Sequence, residues 1–207
     1  GKALPDNAVV ITFDDGYKNN ATLAAPVLLK KGIPAIFHLS TAYIGSRNVL
    51  WPDEVILRVL DWNEPALEPE VEALRLPVPA GHGLRRALAR KVRDVCKRIP
   101  IPERESFLGY LRAKTPATPS NYNPEAHDFM DWNDAQWLAS KGFDIGSHTV
   151  THPILTSCPA KMLAAELSES RAAIERHTQT KCGILAYPNG NKDDFSENVM
   201  AAAEKAG

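Results

Sequence analysis

Cysteine is scarce in this 207-residue chain, and the few present form no pattern. Cys96, Cys158 and Cys182 are an odd set without a Cys-x-x-Cys spacing, so neither a disulfide framework nor a thiolate metal cluster is expected. Net charge is equally small. Lys and Arg number 24 against 25 Asp and Glu, a formal charge of −1, which excludes a charge-driven nucleic-acid partner. No apolar run approaches the roughly 18 residues of a membrane-spanning helix, and residue 1 does not open a signal peptide. No Gly-rich loop follows a strand-like run, which argues against nucleotide binding. With 44% apolar and 24% charged residues, the rest has the composition of one globular domain with one sizeable core.

Two short strings stand out from this plain background. Thr12-Phe-Asp-Asp-Gly16 ends the apolar run Val9-Val10-Ile11, which reads as a buried β-strand. Asp14 and Asp15 then lie at the strand's C-terminal end, and Gly16 lets the backbone turn away. Ser147-His-Thr-Val-Thr-His-Pro153 follows a second strand-like run and sets His148 and His152 four residues apart. That spacing also occurs on zinc-binding helices, but the threonines, Val150 and Pro153 favour a loop. One carboxylate with two imidazoles is an oxygen and nitrogen set suited to a borderline divalent metal, with positions left for water and substrate. The spare carboxylate is the right kind of group to take a proton from water at such a centre. Alone, Asp-Asp-Gly reads as a turn and two histidines as loop caps. Together at strand ends, they read as metal-assisted hydrolysis.

Strand-like and helix-like segments alternate along the chain. Strands are expected at 9–13, 34–39, 143–147 and 183–187, and helices at about 20–31, 51–62, 84–99, 160–177 and 195–206. Pro26 falls early in the first helix, where a kink can form. Asn133 reads as the cap of a further helix that stops at Gly142. Residues 63–83 and 115–124 are rich in proline and read as irregular connections. The helix at 84–99 carries seven Arg and Lys on one side, read as a solvated face before a patch for an anionic polymer. Repeated strand–helix units imply an α/β protein with a parallel sheet.

At its two strings, and at Leu185-Ala-Tyr-Pro-Asn-Gly190, the chain resembles the polysaccharide deacetylases that share the NodB-homology domain, carbohydrate esterase family four. The likeness covers roughly residues 8–47 and 128–207. It implies an irregular or incomplete (β/α) barrel, one catalytic domain over 1–207, with about 48–127 a mainly helical insertion. By the same resemblance Asp15, His148 and His152 hold a divalent metal, zinc by default and cobalt or nickel as suitable substitutes. Asp14 is then the general base, and the backbone N–H of Asn189 stabilises an oxyanion. Tyr187 and Pro188 become substrate contacts. Without the resemblance, Tyr187-Pro-Asn-Gly190 reads as a simple turn.

The chain departs from the family pattern in three ways. Many members carry, where Ala186 stands, an arginine that orients the base; a shifted arginine such as Arg47 is a candidate substitute. An Asp-x-x-Trp motif and a Leu-x-His strand that supplies a catalytic histidine have no counterpart, so C-terminal strands are expected to be missing. Of the other histidines, His38 reads as a packed strand residue that could face the rim, and His82, His127 and His177 as exposed. Trp132, Trp51 and Tyr43 are candidates to line a sugar cleft by stacking, with core packing equally consistent.

The reaction this implies is removal of N-acetyl groups from a polysaccharide or oligosaccharide, associated in bacteria with envelope or capsule polymers. The alternatives are an O-acetyl ester hydrolase using the same residues, and a non-catalytic module that binds metal and glycan.

Overall fold

The computed structural model describes residues 6–207. In chain order its regular elements begin with β1 (Thr12–Phe13), α1 (Ala25–Lys31), β2 (Ile36–Leu39), α2 (Trp51–Leu60), β3 (Ala66–Leu67), β4 (Leu76–Pro77) and α3 (His82–Cys96). They continue with α4 (Ile101–Lys114), α5 (Pro124–His127), α6 (Trp132–Ser140), β5 (Asp144–Ser147), α7 (Ala160–Thr178) and α8 (Glu197–Ala206). These elements form two compact units. Asn48–His127 is a helical unit, and the segments on either side of it make an α/β unit.

The α/β unit is built on a parallel sheet in the order β1-β2-β5, and a single parallel bridge between Ser147 and Leu185 extends it. The sheet is open, as in an incomplete (β/α) barrel. Phe37 and Leu39 of β2 and Ile145 of β5 are buried with Ala25 and Leu28 of α1, Ala135 and Leu138 of α6 and Ile174 of α7. Each large apolar side chain so covered contributes about 1.5–3 kcal/mol. The ring of Phe37 stacks on Phe13 at 4.9 Å and meets the edge of Phe143 at 5.2 Å, which ties β1, β2 and the start of β5 together.

Several expected boundaries shift for local reasons. The first strand keeps only Thr12 and Phe13, and Val9 and Val10 are 86% and 68% exposed. An apolar run reads as fully buried, yet β1 sits at the sheet edge. The helix at 20–31 opens with a π turn, Asn20–Ala24, just before Pro26, which has no N–H to donate. The cap of α6 is Asp131, not Asn133. Its carboxylate accepts from Asp134 N at 2.9 Å, and the Asp134 carboxylate accepts from Asp131 N at 2.8 Å. Leu185 makes one bridge where a strand was expected, and α8 starts at Glu197 behind the cap Ser196.

The helical unit has its own core, in which Val55 and Val59 of α2, Ala89 and Val92 of α3, and Phe107, Leu108 and Leu111 of α4 are buried. The proline-rich connection holds a small antiparallel pair, β3 with β4, and α4 lies where no element was expected. Trp51 is buried in this core under the Arg104 guanidinium, which removes it from the candidates for a sugar cleft. On the basic side of α3, Arg85 donates to the carbonyls of Trp62 and Leu60, and Arg93 pairs with Asp94. All three cysteines are free, and burial pushes the Cys96 thiol up to about 12. No helix among the described residues is long and apolar enough to cross a membrane.

Candidate metal centre

Parallel pairing brings the C-terminal ends of all the strands to one edge of the sheet. Asp14 and Asp15 leave the end of β1, His38 is next to last in β2, and His148 directly follows β5. Ala186 follows the Leu185 bridge. The turn after β1 is tight. Asp15 adopts φ 71° and Gly16 φ 90°, and a Cβ on Gly16 would lie 2.6 Å from Ile44 Cδ1, so only glycine fits there.

Between the two histidines of the second string the backbone is equally unusual. Thr149 has φ 69° and His152 φ 58°, left-handed values that cost non-glycine residues roughly 1 kcal/mol or more each. Helix α7 holds this loop in place. Glu166, 4% exposed, accepts from Val150 N at 2.7 Å and Thr151 N at 2.9 Å, and also from the Thr151 hydroxyl. One turn on, Ser170 Oγ lies 2.7 Å from Ser147 Oγ, which accepts from Thr149 N. Thr149 Oγ1 in turn accepts from His152 N at 3.1 Å. Glu166 and Ser170 escaped the sequence reading. The signal available was a pair of polar residues four apart on the same side of α7 as Leu163, Leu167 and Ile174. Replacing Glu166 with leucine leaves the Val150 and Thr151 N–H groups without their acceptor, and metal affinity should fall about 10- to 100-fold. Competition with a chromophoric chelator measures this; a folded variant with unchanged affinity would show that the loop holds itself.

The three expected ligands converge. Asp15 Oδ1 lies 3.4 Å from His148 Nε2 and 3.3 Å from His152 Nε2, and the three ligand atoms fall within 4.8 Å of one another. His148 Nδ1 is 2.8 Å from the carbonyl of Ala186. A carbonyl only accepts, so Nδ1 carries the hydrogen and Nε2 presents a lone pair. Burial first, then the neighbouring His152, holds the His148 imidazole below its ordinary pKa against the pull of Asp15, so the ring is neutral at pH 7.

Asp15 Oδ1 is itself buried and accepts no hydrogen bond. Two lone pairs thus face each other across 3.4 Å with no proton between them. A cation placed there converts that repulsion into coordination. A tetrahedral ion with bonds of about 2.0–2.1 Å separates its ligand atoms by about 3.3–3.4 Å, the spacing of Asp15 Oδ1 from each imidazole. The residues fit a small divalent metal.

Beside the triad, Asp14 Oδ1 lies 2.9 Å from Nδ1 of His38. That hydrogen bond is the main reason the Asp14 carboxyl is held below its usual value. Partial burial opposes it, and the electrostatic influence of His148, His38 and His152 assists. The Asp14 side chain is half-exposed, so an ionised carboxylate is open to solvent beside the triad. The side chain in hydrogen-bond contact with Asp14 is thus His38. Arg47 is exposed.

The third string reaches the centre through the Ala186 carbonyl. Tyr187 stacks on Phe195 at 5.4 Å, Pro188 is buried, and exposed Asn189, at φ 70°, bonds its side chain to Asp194. Trp132 lies elsewhere in its contacts: its ring stacks on His177 at 4.2 Å and packs against the main core. Tyr43 meets Phe129 at 5.1 Å, and Tyr17 stacks on the same ring at 4.9 Å.

Comparison with known proteins bears on the family and the fold. The polysaccharide deacetylase family model matches residues 1–81 and 108–207. The gap falls on α3 and the first half of α4, inside the helical unit. Among solved structures, the Streptococcus pyogenes deacetylase PplD aligns with TM-score 0.53 at 15% identity, over 99% of this chain and 55% of that one. IcaB from Ammonifex degensii aligns with TM-score 0.54 at 16% identity, over 99% and 58%. The BpsB deacetylase domain from Bordetella bronchiseptica gives 0.52 at 16%, over 99% and 62%. At these identities the likeness establishes the fold, and the chain spans a little over half the length of the structures it matches. A comparison with curated proteins returns no match. On the family model, which spans most of its length, and on a fold shared with solved deacetylases, the chain belongs to the polysaccharide deacetylase family.

Proposed function

We propose that the protein is a metal-dependent hydrolase that removes N-acetyl groups from a polysaccharide or oligosaccharide. The observation that carries this reading is the convergence of Asp15, His148 and His152 on one point, with an ionised Asp14 beside them. Those three residues would hold the ion, with zinc first and cobalt or nickel also compatible with the donor set. When bound, such an ion polarises a carbonyl oxygen and brings the pKa of water down to about 7.

The chain's own groups do the rest. Asp14 takes a proton from the attacking water as the new bond to the acetyl carbon forms. The Asn189 N–H donates to the oxygen that gains charge, a contact typically worth about 3 kcal/mol of barrier. The carbon–nitrogen bond then breaks as the proton taken up by Asp14 passes to the nitrogen, leaving acetate and a free amine on the sugar. Tyr187 and Pro188 come just before that donor in the chain; Tyr187 would contact the sugar beside it, and buried Pro188 would hold the turn.

The test is acetate release from N-acetylglucosamine oligomers by metal-loaded, full-length protein, with metal content measured in the same samples. Release that disappears on chelation and returns with metal is the expected result. Metal bound at one equivalent without release from any N-acetylated glycan overturns the reading and leaves a binding module.

A further inference from the structure

The base proposed above has lost its customary arginine, since alanine stands at 186, yet its carboxylate is held. We propose that His38 is the positioning residue for Asp14, orienting the carboxylate through its Nδ1–H; the proposal rests on Asp14 acting as the base.

Three observations carry it. First, Nδ1 of His38 is 2.9 Å from Asp14 Oδ1. An ionised carboxylate offers no hydrogen, so the imidazole is the donor. Second, the neighbouring strand makes room for this ring. His38 on β2 pairs in register with Gly146 on β5, and a Cβ at 146 would lie 2.4 Å from His38 Cδ2 and 3.1 Å from Nε2. Glycine at that register position lets the imidazole pack directly against the β5 backbone, where its freedom to rotate is small. Third, His38 is 4% exposed whereas the Asp14 side chain is half-exposed. The histidine has no surface with which to touch a polysaccharide, so any influence it has on the reaction passes through Asp14.

The arrangement follows from the strand geometry. Side chains alternate across a strand, and His38 sits between Phe37 and Leu39, both buried in the main core. Its own side chain is therefore sent to the opposite face, toward the turn that carries Asp14. A buried imidazole without a partner is costly, and Asp14 supplies that partner. Held on one oxygen, Asp14 keeps its second oxygen free for water. Without the bond, a half-exposed aspartate samples its rotamers freely, and the productive one is only a fraction of the population.

Two replacements separate positioning from packing. His38→Phe keeps an aromatic ring over Gly146 and removes the donor. His38→Asn places an amide nitrogen near the position of Nδ1 and keeps the donor. In acetate release by the full-length, metal-loaded protein, His38→Phe should lower kcat about 10- to 100-fold with KM and metal content unchanged. His38→Asn should retain most of the rate, and the double variant Asp14→Asn/His38→Phe should be no slower than Asp14→Asn alone.

An active wild type whose kcat is untouched by His38→Phe overturns the proposal and leaves the base standing. Loss of rate in step with loss of metal or of folded protein, equal for Phe and Asn, overturns it in favour of a structural role. A wild type that releases no acetate removes the base reading and the proposal with it. A readout independent of turnover is available in metal-free protein with ¹⁵N-labelled histidine. His38 should show hydrogen on Nδ1, and the Nε2–H tautomer there would overturn the proposal directly.

Discussion

Asp15→Asn should abolish metal binding and, in the metal-free protein, raise thermal stability. The two halves of this result come from the same 3.3–3.4 Å contacts. In the wild type, Oδ1 is a buried acceptor turned toward the Nε2 lone pair of His148, and a cation between them satisfies both. An asparagine amide in that place donates to an imidazole nitrogen and supplies a hydrogen bond worth about 1 kcal/mol. The same change removes the anionic ligand, so the ion no longer binds. Metal added at about 100 times its Kd stabilises the wild type by about 2.7 kcal/mol, and this increment should vanish in the variant. Paired thermal melts with and without zinc check both halves. An Asp15→Asn protein still stabilised by zinc, or one that melts below the metal-free wild type, would count against the site as described.

The second large effect concerns Asp14. Asp14→Asn keeps the shape and the hydrogen-bonding reach of the side chain but cannot take a proton. Acetate release should fall about 10²- to 10⁴-fold while metal affinity stays within a few-fold of wild type. The pH profile should then separate the base from the ligands. Asp14 has its pKa lowered from 3.8, chiefly by the His38 hydrogen bond, so it stays ionised until pH falls below the ordinary aspartate range. Imidazole ligands lose the metal when they are protonated, and an ordinary imidazole takes its proton at higher pH than a carboxylate. As pH is lowered from 7 to 4, activity should therefore follow bound metal. Measuring metal content and rate in parallel settles this, and a rate that drops while metal remains bound assigns the acid limb to a base with a higher pKa than Asp14.

The strings that announce this chemistry are local, which is why they could be read directly. Asp-Asp-Gly after an apolar run places its carboxylates at a strand end whatever the rest of the chain does, and His148 and His152 inherit their position from β5. The supporting residues are not local. His38 meets Asp14 across 24 residues, and Glu166 meets Thr151 across 15; each is one polar residue in an otherwise apolar pattern, with no partner in view. Edge effects were hidden for a related reason. Val9 and Val10 have the composition of a buried strand, and burial depends on what lies alongside. Helix α4 escaped because Phe107, Leu108 and Leu111 crowd into one turn between charged residues, so no long apolar stripe marks it. At Asp131, the capping box competed with a nearby asparagine of equal propensity, and only the reciprocal bonds with Asp134 decide between them.

The contact between Ala186 and His148 has a consequence for what this sequence can tolerate. The group that sets the imidazole tautomer is a main-chain oxygen, which every amino acid brings to that position. Side-chain identity at 186 is therefore uncoupled from the electronic state of the ligand, and an alanine there leaves it as it was. Backbone register is the quantity under constraint. Removing a single residue from the segment between Thr178 and Ala186 would put a different atom opposite Nδ1, whereas exchanging the side chains along it would not.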